Sequence, residues 1–108
     1  MMLYNLKIEN NIFAPDITKV NLLEKEIEYI YMLISGVGRK KAINLLSLSL
    51  TDLGKLYLKF GLTDSTKLRY VQIVTIFMIN KLVDKNILLK IYNIYNLIEC
   101  KNLAEYLY

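Results

Sequence analysis

Ile34-Ser35-Gly36-Val37-Gly38-Arg39-Lys40-Lys41-Ala42-Ile43-Asn44-Leu45-Leu46 is the stretch on which the fold turns. Two glycines flank one apolar residue, and a basic triplet runs straight into a pattern of Ala and Leu at helical spacing. Glycine permits backbone angles and a close approach that side chains block. Val37 can then insert between two helices, Ala42 is small where they cross, and Leu45-Leu46 close the small core between them. Upstream, Leu23, Ile27, Ile30 and Ile34 fall at offsets of 4, 7 and 11, one stripe of a helix that starts at Asn21 as its N-cap. Glu24, Glu26 and Glu28 decorate the other side. The pattern predicts a helix, a Gly-x-Gly turn, and a second helix opening at Arg39.

Further along, Leu53, Leu56, Tyr57 and Phe60 fit a short helix with Thr51 or Asp52 as cap and Gly61 as left-handed terminator. Thr63-Asp64-Ser65-Thr66 then supplies cap candidates for a longer helix from about Lys67 to Val83. Its apolar residues Val71, Val74, Ile76, Phe77, Ile79 and Leu82 cover more than one face, which predicts the central, most buried element. Asp84 caps a last long helix with Ile87, Ile91, Ile94 and Ile98 as its stripe; Tyr92 and Tyr95 on it read as core or rim packing. Residues 1–21, with Leu3, Leu6 and Ile8 alternating before Asn10-Asn11 and Ala14-Pro15-Asp16, read as a short extended arm and a turn. The expected architecture is mainly α: one domain, an N-terminal arm over 1–21 and a helical domain over 22–108.

Composition removes whole classes of function. The 108 residues include no His and one Cys, which excludes histidine general bases, imidazole metal ligands, an internal disulfide and a cysteine-type zinc site. The acids Asp52, Asp64, Asp84, Glu99 and Glu105 are scattered at helix caps or ends and read as capping residues; Cys100 reads as a small apolar side chain. The chain reads as non-enzymatic, with no cofactor and no metal. The longest stretch without a charged side chain, Tyr70 to Asn80, is eleven residues, and a membrane span needs about 20. Residues favoured by A/T-rich codons (Phe, Tyr, Met, Ile, Asn, Lys) number 52, while Gly, Ala, Arg and Pro number 10. That ratio points to an A/T-rich genome, most simply mitochondrial, with another A/T-rich organelle or a bacterial cytoplasm as the alternative. Met1 to Asn10 does not look like a transit peptide, so the expectation is synthesis inside the organelle.

Charge is unevenly placed. Residues 1–38 carry three Lys against five acids, and residues 39–108 carry eleven basic residues against five acids. The sign changes at the Gly-x-Gly turn. There the first amides of the second helix lack intrahelical partners, and together with the positive end of the helix dipole they favour a phosphate. Gly36, Val37, Gly38, Arg39, Lys40 and Lys41 are therefore the candidate nucleic-acid contacts, with Lys67 and Arg69 at the start of the next helix as further candidates. The contact expected is with backbone, without base readout.

The full pattern, apolar-x-Gly-apolar-Gly-x-x-x-Ala-x-x-apolar-apolar, resembles the helix-hairpin-helix motif. The order of elements in turn resembles the bacterial-type family of small-subunit ribosomal protein thirteen, a helix–two-turn–helix protein of the subunit head. Three blocks carry the resemblance. Ile27-Glu28-Tyr29-Ile30-Tyr31-Met32-Leu33-Ile34-Ser35-Gly36-Val37-Gly38 with its basic sequel is similar to the family's Tyr-Ile-Tyr-Gly-Ile-Gly segment. Phe60-Gly61-Leu62 resembles its Leu-Gly-Ile, and Ile91-Tyr92-Asn93-Ile94-Tyr95-Asn96-Leu97-Ile98-Glu99-Cys100 its Asn-Ile-x-x-Leu-Ile-x-Ile-x-Cys. The likeness covers about residues 22–100, with an insertion around Ser47 to Leu58.

The resemblance implies a structural ribosomal component that binds small-subunit ribosomal RNA, packs beside head protein nineteen and touches large-subunit protein five across an intersubunit bridge. Family members continue into a long basic tail, whereas this sequence ends in Lys101-Asn102-Leu103-Ala104-Glu105-Tyr106-Leu107-Tyr108. The resemblance therefore does not carry over direct contact with transfer RNA, and one hypothesis is that a separate chain supplies the tail. A helix-hairpin-helix subunit of a DNA repair or replication complex is the alternative function, and a protein–protein scaffold with a purely structural hairpin is a third.

Overall fold

The computed structural model describes residues 3–107. Two short strands, β1 (Leu3–Lys7) and β2 (Lys19–Leu23), pair antiparallel with Leu3 opposite Leu23 and Lys7 opposite Lys19. Six helices follow: α1 (Glu24–Ile34), α2 (Arg39–Leu46), α3 (Leu50–Lys59), α4 (Arg69–Ile79), α5 (Lys85–Tyr95) and α6 (Ile98–Tyr106). The protein is a small, mainly helical domain with a radius of gyration of 13.2 Å, about the value a single packed domain of this length adopts.

The arm is more than an extension. Ile8, Val20 and Leu22 are buried in the same core as the helices, and the boundary at residue 21 falls inside β2. Asn21 is not a helix cap: it pairs with Asn5 across the ladder. Alternating burial in β2, with Val20 and Leu22 in and Lys19 and Asn21 out, is the period-2 pattern of a strand with one wet face. The helix begins three residues later, where the Leu23 amide donates to Oε1 of Glu26 at 2.7 Å.

Two asparagines pin the loop between the strands. Asn11 accepts from the amides of Phe13 and Ala14 and donates to the Phe60 carbonyl at 3.1 Å. Asn80 accepts from the Asn10 amide and donates to the Asn10 carbonyl, both at 2.9 Å. The loop lies so close to the end of α3 that a Cβ on Gly61 would stand 2.5 Å from Cβ of Ala14, and Gly61 has φ +74. Both conditions demand glycine, so the expected left-handed terminator is present.

The central element is α1, not α4. Seven consecutive residues, Glu26 to Met32, are buried, and α1 touches both strands, α2, α4 and α6. By contrast α4 buries Ile73, Ile76 and Phe77 and leaves Val71, Met78 and Ile79 exposed. Glu26 and Glu28, expected on a solvent face, are only 6% and 5% exposed. Each is compensated. Glu26 accepts from Nζ of Lys59 at 2.6 Å in addition to the Leu23 amide. Glu28 accepts from the Tyr95 hydroxyl at 2.9 Å; burial pushes its carboxyl up, and burial together with that carboxylate pushes the Tyr95 phenol up to about 12. Tyr31 ties α1 to the α4–α5 connection: its hydroxyl donates to the Leu82 carbonyl at 2.9 Å and accepts from the Asp84 amide at 2.8 Å. Its ring meets Phe77 edge to face at 6.2 Å.

The caps correct two further expectations. Ser49 caps α3, not Thr51 or Asp52; Asp52 sits at the third position and closes a capping box with the Ser49 amide, which holds its carboxyl below the usual range. Asp84 caps α5 as expected, accepting from the Asn86 amide. The last helix, however, is two helices. Asn96 adopts a left-handed conformation, φ 56, and ends α5; α6 then starts at Ile98. On α5 Leu88 and Ile91 face the core while Ile94 is 53% exposed; after the break Ile98 is 52% exposed, and Leu97, Cys100 and Ala104 enter the core.

Candidate nucleic-acid interface

The turn between α1 and α2 is built from the chain outward. Gly36 has φ +93, a backbone conformation that L residues rarely take, while its amide and that of Val37 donate back to the carbonyls of Leu33 and Met32 at 3.1 and 2.9 Å. These bonds satisfy the end of α1 in the manner of a Schellman closure. They also drive Val37 inward, where it is 3% exposed and contributes about 1.5–3 kcal/mol of burial. Ala42, one turn into α2, is fully buried against α1. Leu46 is buried beside it, whereas Leu45, expected in the core, is exposed.

Gly38 is the N-cap of α2 and offers no side-chain acceptor. The first intrahelical bond runs from the Ala42 amide to the Gly38 carbonyl at 3.0 Å, so the amides of Arg39, Lys40 and Lys41 face out of the helix start with no acceptor among the described residues. No acidic side chain occupies that first turn. The side chains of these three residues are exposed, and none forms an ion pair among the described residues. Elsewhere Lys59 and Lys90 are committed to Glu26 and Glu24, so much of the acidity of the first 38 residues is answered within the fold.

Arg39 is not a mobile charge. Its guanidinium lies over the ring of Tyr70, 4.2 Å from the centroid, a cation–π contact between the start of α2 and α4. Arg69, the first residue of α4, stacks in the same way on Tyr57 of α3 at 4.9 Å. The Tyr57 hydroxyl meets that of Tyr29 at 3.0 Å in the core. Burial, then that bond, pushes the Tyr29 phenol well above the ordinary tyrosine range, with Arg39 pulling weakly the other way. Tyr29 is therefore a neutral ring at physiological pH.

The structure brings the sequence candidates together on two neighbouring depressions. Gly38, Lys40 and Lys41 border one of about 590 Å³, with Asn44 and Leu45. Arg39, Lys40 and Arg69 border a second of about 700 Å³ between α2 and α3. Lys67 stands apart: it precedes α4, in a turn where its amide donates to the Asp64 carbonyl, and lines neither depression. Asp64 is itself held below the usual carboxylate range, first by the Thr66 hydroxyl and amide and then by Lys67 and Arg69. Tyr70, Tyr57 and Asn44 were not candidates from sequence. The pairing of Arg39 with Tyr70 spans 31 positions and leaves no local signal; the adjacency of Arg69 and Tyr70 was the only hint. No helix is long and apolar enough to cross a membrane among the described residues.

No family model, no curated protein and no solved structure matches this chain.

Proposed function

We propose that this chain is a structural, RNA-binding protein of a small ribosomal subunit, in which α1, the Gly36–Gly38 turn and α2 act as a helix-hairpin-helix that grips sugar-phosphate backbone. The observation that carries the nucleic-acid reading is the start of α2: three outward amides without a cap, three consecutive exposed cations, and no carboxylate among the described residues answering them. That arrangement is complementary to phosphate oxygens and offers little to distinguish bases. Arg69 and Lys67 extend the positive surface toward α4.

Support for the ribosomal reading is the resemblance of three blocks, in order, to ribosomal protein thirteen; they fall on the α1–α2 turn, the end of α3 and the α5–α6 break. The proposed partners are small-subunit ribosomal RNA of the head, head protein nineteen, and large-subunit protein five. The A/T-biased composition supports a mitochondrial setting. A hairpin meeting a few phosphates binds only in the range of about 10⁻⁴–10⁻⁶ M on its own. Neighbouring proteins then supply the remaining hold, and the exposed apolar residues Leu68, Val71, Met78 and Ile79 beside and along α4 offer surface for them.

The test is sedimentation of the tagged protein with ribosomal subunits from its own cell at high salt. Recovery in the small-subunit fraction is expected, together with its loss when Lys40 and Lys41 are reversed to Glu in a folded variant. Recovery with DNA and absence from ribosomes would contradict the proposal.

A further inference from the structure

Twelve of the fourteen basic residues of the chain are lysines; the two arginines, Arg39 and Arg69, both lie over tyrosine rings, 4.2 and 4.9 Å from the centroids, and both border the groove of about 700 Å³ between α2 and α3. The two residues lie thirty positions apart, on different helices. A guanidinium packed on a ring loses little further freedom on binding, and its opposite face can receive another flat, polarisable group.

The rest of the groove is unlike a backbone site. Its other wall is apolar, made by Leu53 and by Leu50, which is 88% exposed. No acidic residue lines it. Its floor includes Gly54, in the middle of α3, where glycine is a poor helix former. Apart from its chain neighbours and the backbone of its own helix, no heavy atom of the described residues lies within 4 Å of the place a Gly54 Cβ would occupy, so packing of the free protein does not account for the missing side chain. The volume lies within the range of clefts that hold small organic groups. A duplex needs only donors to its phosphates; a cleft with cationic planes on one side and aliphatic surface on the other fits a base that has left its helix.

We propose that this groove receives one unpaired nucleotide of the bound RNA, its base laid against the guanidinium planes of Arg39 and Arg69 and the Leu50–Leu53 wall, and its phosphate met by Lys40. The inference rests on the RNA-binding reading above and deepens it: the partner is a backbone interrupted by a bulge or loop, not a continuous duplex.

Two fluorescein-labelled RNA hairpins, one with a single bulged uridine and one fully paired, are titrated with the full chain and followed by anisotropy. The bulged hairpin is expected to bind about tenfold tighter, the scale of one stacked base. Gly54→Leu introduces a good helix former into open space and fills the groove; it is expected to remove the preference while leaving the affinity for the paired hairpin unchanged. Arg69→Lys, which keeps charge and loses the plane, is expected to narrow the ratio between the two RNAs. Equal binding of both hairpins by the wild-type protein, or a preference that survives Gly54→Leu, overturns the groove assignment and leaves the backbone reading standing. Failure to bind either hairpin at low salt overturns both and leaves the groove to a protein segment.

Discussion

Replacing Gly38 by Asp should move stability and RNA binding in opposite directions. Gly38 has φ −58 and ψ 145, extended backbone open to any residue, and a Cβ there meets nothing within 4 Å. Nothing in the folded chain requires glycine. An aspartate at this N-cap supplies the acceptor that α2 lacks, a gain of a few tenths of a kcal/mol over glycine. Its charge beside the helix start adds about 0.3–1 kcal/mol. The sum is about 0.5–1.5 kcal/mol, and at about 4–8 °C per kcal/mol for a domain near this size the melting temperature should rise by about 2–12 °C. The same carboxylate occupies the amides and neutralises the cations that would meet phosphate. Losing one charge-assisted contact of about 1.5–3 kcal/mol weakens RNA binding by about ten- to a hundredfold. Thermal unfolding by circular dichroism and anisotropy with a paired RNA hairpin read the two effects. A stabilised variant that binds RNA as tightly as the wild type would refute the assignment of the α2 start to phosphate, and a destabilised one would refute the capping argument.

Gly36 should behave in the reverse sense: at φ +93, Gly36→Ala is expected to cost about 1–2 kcal/mol, visible as a lower urea midpoint, and an unchanged midpoint would mean the turn relaxes freely. Lys59→Met removes the partner of a nearly buried Glu26; because Lys59 is 32% exposed and Glu26 keeps the Leu23 amide, the loss should be about 1–2 kcal/mol, below the ~3–5 typical of fully buried pairs, and no loss in a denaturant melt would show that Glu26 is satisfied without it. Burial raises the Glu28 carboxyl above its ordinary value of 4.5, so the folded state holds that proton more tightly than the unfolded chain. The resulting stability is complete below the ordinary carboxylate pKa and is lost as pH rises through the raised folded value. Glu28→Gln keeps an acceptor for the Tyr95 hydroxyl and should flatten the melting temperature over that window; the same slope in the variant would assign it to another group.

The turn was legible because its residue types are dictated locally. A positive φ at Gly36, an inserted Val37, and a small Ala42 at the crossing are each a backbone or contact requirement that a few adjacent letters express. Asp84 and Gly61 were legible for the same reason. What periodicity could not show is where a stripe is interrupted. Ile87, Ile91, Ile94 and Ile98 match a continuous helix well, yet Asn96 takes a left-handed turn and re-aims everything after it. Glu26 and Glu28 read as solvent-facing because their partners, Lys59 and Tyr95, lie 33 and 67 positions away. The candidate site divides along the same line. Arg39, Lys40 and Lys41 were found from the turn, while the tyrosines that fix Arg39 and Arg69 come from α3 and α4 and exist as a cluster only after folding. Lys67 was placed on a helix that begins two residues beyond it.

The central claim, that the start of α2 meets nucleic-acid backbone, is tested most directly by the salt dependence of binding to a paired RNA hairpin. Neutralising Lys40 and Lys41 together, as Lys40→Ala and Lys41→Ala, removes two phosphate contacts. At about 0.7–0.9 per contact, the slope of log K against log salt should become shallower by about 1.4–1.8. A slope equal to that of the wild-type protein would mean these lysines touch no phosphate, and the claim would fall.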